Sequence, residues 1–199
     1  MEAKQAGKKI VAVSQGTVET DLSNLVLPTL EALKDRNDVL VVATTVAVEP
    51  GEVPDLVMPY NARVAKFVPY DLLLPMVRHV LVIGPPKLTD SKVDVLVNNG
   101  GYGAVIQALE QGVPLVVAGE GQDKAITNAI IQWSGVGVHI GGRSPGPEKI
   151  REGLQKVLED ESYTQKAKAM SNNFGRYDVR TVADSVIQDV VRKWAANRP

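Results

Sequence analysis

Cysteine is absent from the 199 residues, which removes disulfides, thiolate nucleophiles and cysteine metal sites in one step and excludes a disulfide-stapled extracellular fold. A reducing, cytoplasmic setting is the expectation. Histidine is nearly absent: His79 and His139 stand in unrelated contexts, so neither a histidine cluster nor an HExxH helix can be assembled, and no metal is expected. Charge of one sign is lacking too, with 22 Lys plus Arg against 23 Asp plus Glu and a net charge of -1. No long-range field draws in nucleic acid or an anionic membrane, and recognition has to be local. Long apolar runs are missing as well. Met1 to Lys9 is charged and polar, and the run Ile10 to Val13 is too short for a signal-peptide core or a membrane span.

What the chain does have is alternation. With 44% hydrophobic residues it can bury one core. Short runs rich in Val and Ile, bounded by Gly, Pro or Asn, occur at Ile10 to Val13, Val39 to Ala43, Val64 to Phe67, Val80 to Ile83, Val93 to Val97, Leu115 to Ala118 and Val136 to Ile140. Such runs read as buried parallel strands. Between them Leu22, Leu25, Val26, Leu30 and Leu33 share a helical face, with Pro28 starting or kinking that helix, and Val105, Ile106 and Leu109 share another. The pattern predicts an α/β fold, a Rossmann-like doubly wound parallel sheet with flanking helices. Residues 1–9 read as a polar tail or linker remnant, and residues 10–199 as one domain. Its C-terminal helices begin near Pro147, continue over Tyr163 to Asn172, and end with a helix from Val179 to Ala195 striped by Val182, Val186, Val190 and Trp194. The loop from Val46 to Asn61 carries three prolines and is expected to be the mobile surface segment.

Chemistry concentrates in Val93 to Ile140. A strand ends at Asn98 and Asn99, and Gly100, Gly101 and Gly103 lead directly into a helix. Glycines there let backbone approach a ligand, and the free N–H groups of a helix start, with the macrodipole behind them, favour a phosphate or diphosphate. A turn that merely tightens packing has the same composition. After the first strand, Ser14, Gln15, Gly16 and Thr17 are expected to open a second helix. There Thr17 reads either as a phosphate contact or as a plain helix cap. In an open α/β sheet both turns face the crevice outside the strand ends.

In this stretch the chain resembles the C-terminal donor-binding domain of the family 1 glycosyltransferases, which have the GT-B fold and transfer a sugar from UDP or another nucleotide to small acceptors. The family pattern HGGxGTxxEAL, GVP, then DQ and a nearby Asn is similar to Asn99, Gly100, Gly101, Tyr102, Gly103, Ala104, Val105, Ile106, Gln107, Ala108 and Leu109, then Gly112, Val113 and Pro114, then Asp123, Lys124 and Asn128. The NGGYG motif with Gln and Asp-Lys is similar to a bacterial and fungal subgroup. The resemblance implies that Gly16, Thr17, Asn99, Gly100, Gly101, Gly103 and Ala104 surround the donor diphosphate. It also implies that Gln107 holds the ribose and that Asp123 and Lys124 contact the donor sugar. Phe67, Val68, Pro69 and Tyr70 lie where the family receives the base, with Phe67 stacking on it and Val68 backbone pairing with its edge. Core packing is the rival reading of Phe67. From the residues alone, Asp123 also reads as a helix cap and Lys124 as a solvated cation.

Three departures weaken the family pattern. Asn99 replaces a histidine, Ala104 a threonine hydroxyl, and Gln107 a glutamate, so charge assistance is lost while hydrogen bonding remains. Residues 78–92 look inserted relative to the family, and His79 within them reads as a surface histidine. The resemblance further implies inverting transfer with a UDP-sugar donor and no metal. It places the catalytic base on an N-terminal acceptor domain with no counterpart here, so the chain is expected to be a fragment or one subunit of a split enzyme, inactive alone. Two other classes remain. A dinucleotide-dependent oxidoreductase is disfavoured by SQGTVE where GxGxxG belongs, and a non-catalytic nucleotide-binding or assembly module stays open.

Overall fold

A computed structural model describes residues 2–54, 56–69, 73–74, 93–121, 123–174, 176 and 179–196. The expected strand Val80 to Ile83, the insertion at 78–92, His79 and Tyr70 lie outside the described residues. Six strands form one parallel sheet: β1 (Lys9–Ser14), β2 (Val39–Thr44), β3 (Ala62–Ala65), β4 (Val95–Asn98), β5 (Leu115–Val117) and β6 (Gly137–His139). The order across the sheet is β3-β2-β1-β4-β5-β6. The helices are α1 (Glu2–Gln5), α2 (Val26–Leu33), α3 (Tyr102–Glu110), α4 (Lys124–Ser134), α5 (Pro147–Glu159), α6 (Glu161–Phe174) and α7 (Val179–Ala196).

Alternation along each strand sends neighbouring side chains to opposite faces. Val11 and Val13 of β1, Val95 and Val97 of β4 and Val116 of β5 pack with Leu25, Leu30 and Leu33 around α2 and Ile150, Leu154 and Val157 of α5. Ile10, Ala12, Leu96, Leu115 and Val117 point the other way, against Val105, Ala108 and Leu109 of α3, Ile131 of α4 and Ala167 of α6. Apolar demand on both faces is why these strands read as continuous Val and Leu runs.

Several boundaries differ from the periodic reading, each for a local reason. β3 starts at Ala62 and ends at Ala65, because it is Ala62 that pairs with Val41 and Ala65 with Thr44. Phe67 therefore lies beyond the ladder. β4 starts at Val95, since the Asp94 carboxylate takes the Ile10 N–H at 2.7 Å and the Lys4 ammonium at 2.6 Å. That ion pair ties α1 to the sheet. Pro28 lies in the first turn of α2, where it starts rather than kinks the helix. α7 forms at the expected spacing, yet its stripe is open: Val182, Val186, Val190 and Trp194 are each more than half exposed.

Leu96 is fully buried at the centre of the sheet. We expect Leu96→Ala to lower stability by about 2–5 kcal/mol through lost burial and the cavity left behind. Urea unfolding should show this as a lower midpoint with an unchanged slope.

Candidate functional site

All six strands run parallel, so all their carboxyl ends lie on one edge of the sheet. The strand order reverses between β1 and β4, and ligands of open α/β sheets settle in the crevice at such a reversal. The loops after β1 and β4 border it.

The loop after β4 is shaped by two asparagines. Buried Asn98 accepts the Gly100 N–H through Oδ1 at 2.6 Å, and Asn99 accepts the Gly101 N–H at 3.2 Å. These side-chain turns end the strand and place Gly100 at φ 83°. A Cβ on Gly100 would stand 2.0 Å from Oδ1 of Asn128. Asn128 is itself fully buried, and its Nδ2 donates to the Gly119 carbonyl at 3.2 Å. Only glycine fits there. Gly101 then caps α3 with extended backbone, and Val105 N–H makes the first bond to the Gly101 carbonyl at 3.1 Å.

This geometry redistributes the donors expected for a phosphate. The N–H groups of Gly100 and Gly101 are spent on Asn98 and Asn99. The helix start leaves those of Tyr102, Gly103 and Ala104 without intrahelical acceptors. Gln107 is exposed one turn further along, on the face that carries Gly103.

The turn after β1 differs from expectation. No helix follows Thr17: residues 15–21 form a loop, Asp21 caps a 3-10 turn at Leu22–Asn24, and α2 begins only at Val26. The helix-start argument for Gly16 and Thr17 is therefore withdrawn, and so is the helix-cap reading of Thr17, which is exposed. The reason lies in Gln15, 1% exposed. Its Nε2 donates to the carbonyls of Glu19 and Asp21, and its Oε1 accepts the Val26 N–H at 3.3 Å. The side chain thus folds the loop back and caps α2 from within. Gly16 still reaches the crevice, where its ideal Cβ position lies 3.8 Å from the Asn99 amide.

Glu19 brings the loops together. Its Oε2 accepts from Lys124 Nζ at 2.9 Å and Asn99 Nδ2 at 3.3 Å, and its Oε1 accepts from Arg143 Nε at 2.9 Å and Asn24 Nδ2 at 3.3 Å. Asn99 also donates to the Gln15 carbonyl. Four donors saturate a carboxylate. Burial works to raise the Glu19 pKa, but hydrogen bonds from Lys124 and Arg143, the Lys124 charge and the Asn99 amide outweigh it and hold the group below its ordinary 4.5. Lys124 is 8% exposed, so the solvated reading fails. Its ammonium is buried because a half-buried carboxylate compensates it. Asp123 is exposed and makes no side-chain cap bond, which removes the cap reading.

Glu19 and Arg143 were not found from sequence. Both lie just past strand ends, and the available signal was the need of a lysine at the head of α4 for a counter-ion. Phe67 is 71% exposed, so it is not core, and Val68 beside it is half-buried. Both follow β3 at the same carboxyl edge. Among the described residues, no cluster of three or more His, Asp or Glu side chains could hold a metal. Nor, among those residues, is any helix long and apolar enough to cross a membrane.

Comparison with known proteins identifies the family and the fold. A family model described as the C-terminal domain of erythromycin biosynthesis protein CIII-like proteins matches residues 29–184. UDP-glycosyltransferase 2 of Phaeomoniella chlamydospora is 37% identical over 183 residues, covering 90% of this chain and 36% of that protein. The 4'-demethylrebeccamycin synthase of Lentzea aerocolonigenes is 38% identical over 186 residues, covering 94% and 39%. The chain thus spans little more than a third of these relatives. Among solved structures, the calicheamicin glycosyltransferase CalG4 superposes with a TM-score of 0.74 at 19% identity, over 93% of this chain and 44% of that one.

Glu19→Gln tests the hub. A carboxyl whose folded pKa is depressed adds stability that is present above its unfolded pKa and lost as pH falls through the folded one. The wild-type protein should therefore exceed Glu19→Gln in stability by a constant margin at neutral pH, with the margin shrinking as pH drops below 4.5. Urea unfolding across that range measures it.

Proposed function

Because this chain belongs to the family of erythromycin biosynthesis protein CIII-like C-terminal domains, the donor-side halves of family 1 glycosyltransferases, we propose that it binds a nucleotide-sugar, with UDP as the nucleotide. The observation that carries the proposal is the start of α3. Three unspent N–H groups, at Tyr102, Gly103 and Ala104, meet the crevice where the strand order reverses, and that arrangement suits a diphosphate. UDP is favoured by relatives at 30–37% identity, several of them UDP-glucosyltransferases.

Around that anchor the remaining roles follow from position. Gln107, exposed beyond the helix start, hydrogen-bonds ribose hydroxyls, and its amide offers both a donor and an acceptor. Exposed Phe67 receives the base by stacking, with Val68 backbone at its edge. Asp123 accepts from sugar hydroxyls at the head of α4. Lys124 donates beside it, using N–H groups that Glu19 leaves free. Gly16 and Thr17 line the phosphate side as loop backbone.

Mechanistically, this half stabilises the leaving group. As the bond from the sugar C1 to the diphosphate oxygen breaks, negative charge grows on that oxygen. Preorganised N–H donors and the helix dipole lower the energy of that charge without reorganising. We assign inversion and the acceptor-activating base to an acceptor domain, in cis or as a partner subunit. The relatives are each more than twice as long as the region this chain covers. On this reading the chain alone binds donor and does not turn over.

Calorimetry with UDP and a UDP-sugar tests the assignment. Gln107→Ala should weaken both ligands by about three- to tenfold, the loss of one or two hydrogen bonds. Asp123→Ala should weaken only the sugar-bearing ligand, by about tenfold. Equal losses for both ligands in the Asp123 variant, or selective binding of NAD by the wild-type protein, would contradict the reading.

A further inference from the structure

Arg143 is the cation of this edge that family resemblance does not assign. It sits in the loop after β6, between Gly142 and Ser144. The loop is fastened on two sides: the Gly142 carbonyl accepts the Gly119 N–H at 2.8 Å, and the Ser144 hydroxyl donates to the Asn24 side chain. The guanidinium uses Nε alone, on Oε1 of Glu19 at 2.9 Å. Its terminal nitrogens have no acceptor among the described residues, and the side chain is 68% exposed while that of Glu19 is 10% exposed. Arg143 is thus held from behind by a half-buried carboxylate and open in front. On the other oxygen of the same carboxylate sit Lys124 Nζ and the Asn99 amide, and Asn99 in turn holds the Gly101 N–H at the head of α3.

The geometry points to Arg143 as a donor-contact residue whose free guanidinium edge receives the diphosphate. Three arguments support it. A guanidinium with two unspent terminal nitrogens matches two phosphate oxygens at once, which an ammonium cannot do. Glu19 carries two cations on one carboxylate, so it orients them without cancelling both, and the exposed Asp21 carboxylate, which feels the Arg143 charge, is the other anion beside them. The position also answers the deficit at Asn99, where an amide stands in place of a histidine and supplies no charge to a leaving diphosphate. Arg143 and Lys124 restore that charge from the neighbouring loops. Glu19 serves as their positioning residue: its four hydrogen bonds fix the pair before any ligand arrives, so little ordering remains to be done on binding.

The inference rests on the donor-binding reading above, and its test separates the two. Titrations of the full chain with uridine and with UDP, followed by NMR so that weak nucleoside binding is measurable, compare wild type with Arg143→Gln and Arg143→Lys. We expect Arg143→Gln to weaken UDP about tenfold, the loss of a charge-assisted contact, with uridine affinity unchanged. Arg143→Lys should recover only a minor part, since it keeps charge and loses the fork. Wild-type UDP affinity should also fall more steeply with added salt than that of Arg143→Gln. UDP affinity unaltered in Arg143→Gln, or equal losses for uridine and UDP, would overturn the inference and leave the donor site standing. A wild-type protein that binds neither ligand would overturn both.

Discussion

One largely enclosed carboxylate organises the carboxyl edge of the sheet. Glu19 comes from the loop after β1 and accepts from Asn24 of its own loop, Asn99 after β4, Lys124 at the head of α4 and Arg143 after β6. Sheet geometry alone places these loops on one side, because parallel strands share a direction. It does not hold them in register with each other. That task falls to an anion with four acceptor positions and four donors around it, in a setting where an unpartnered charge would be costly. Remove Glu19 and Lys124 becomes an uncompensated buried ammonium, while the Asn99 amide loses one of its two acceptors.

From that constraint the site assembles in order. Asn99, fixed by Glu19 and the Gln15 carbonyl, turns its Oδ1 to the Gly101 N–H and so sets the start of α3. Gly100 passes the chain over buried Asn128 at a distance no side chain tolerates. Gly119 meets the Asn99 carbonyl in the same way, with an ideal Cβ 2.5 Å from it. Strand ends, glycine crossings and asparagine turns thereby leave three backbone N–H groups at the head of α3 without acceptors among the described residues, and Asn99 and Glu19 link that head to the two cations.

Much of this was legible in the sequence, for physical reasons. Val and Leu runs marked the strands because a doubly covered parallel sheet buries both faces. The NGGYG stretch marked the loop after β4 and the start of α3, because close backbone approach demands glycine there, whereas Gln107, Asp123 and Lys124 were singled out by family resemblance alone. Three things were not legible. The loop after β1 read as a helix start because Gly16 and Thr17 have the composition of one, while the residue that shapes it, Gln15, acts through side-chain bonds to carbonyls four and six residues on. Phe67 read equally as core or as contact, since a hydrophobe at a strand end carries no sign of which side of the last ladder bond it falls. Glu19 and Arg143 lie 124 residues apart, and nothing local to either names the other.

We propose, then, a sugar-linked diphosphate against the head of α3 with the cations of the Glu19 cluster beside it. A crystal structure of the protein with a UDP-sugar tests it most directly. The account predicts phosphate oxygens about 2.7–3.2 Å from the backbone nitrogens of Gly103 and Ala104, the ordinary hydrogen-bond range, with Glu19 still joined to Lys124. A diphosphate bound elsewhere on the chain, or one that reaches this helix only after the β1 and β4 loops have parted, would contradict it.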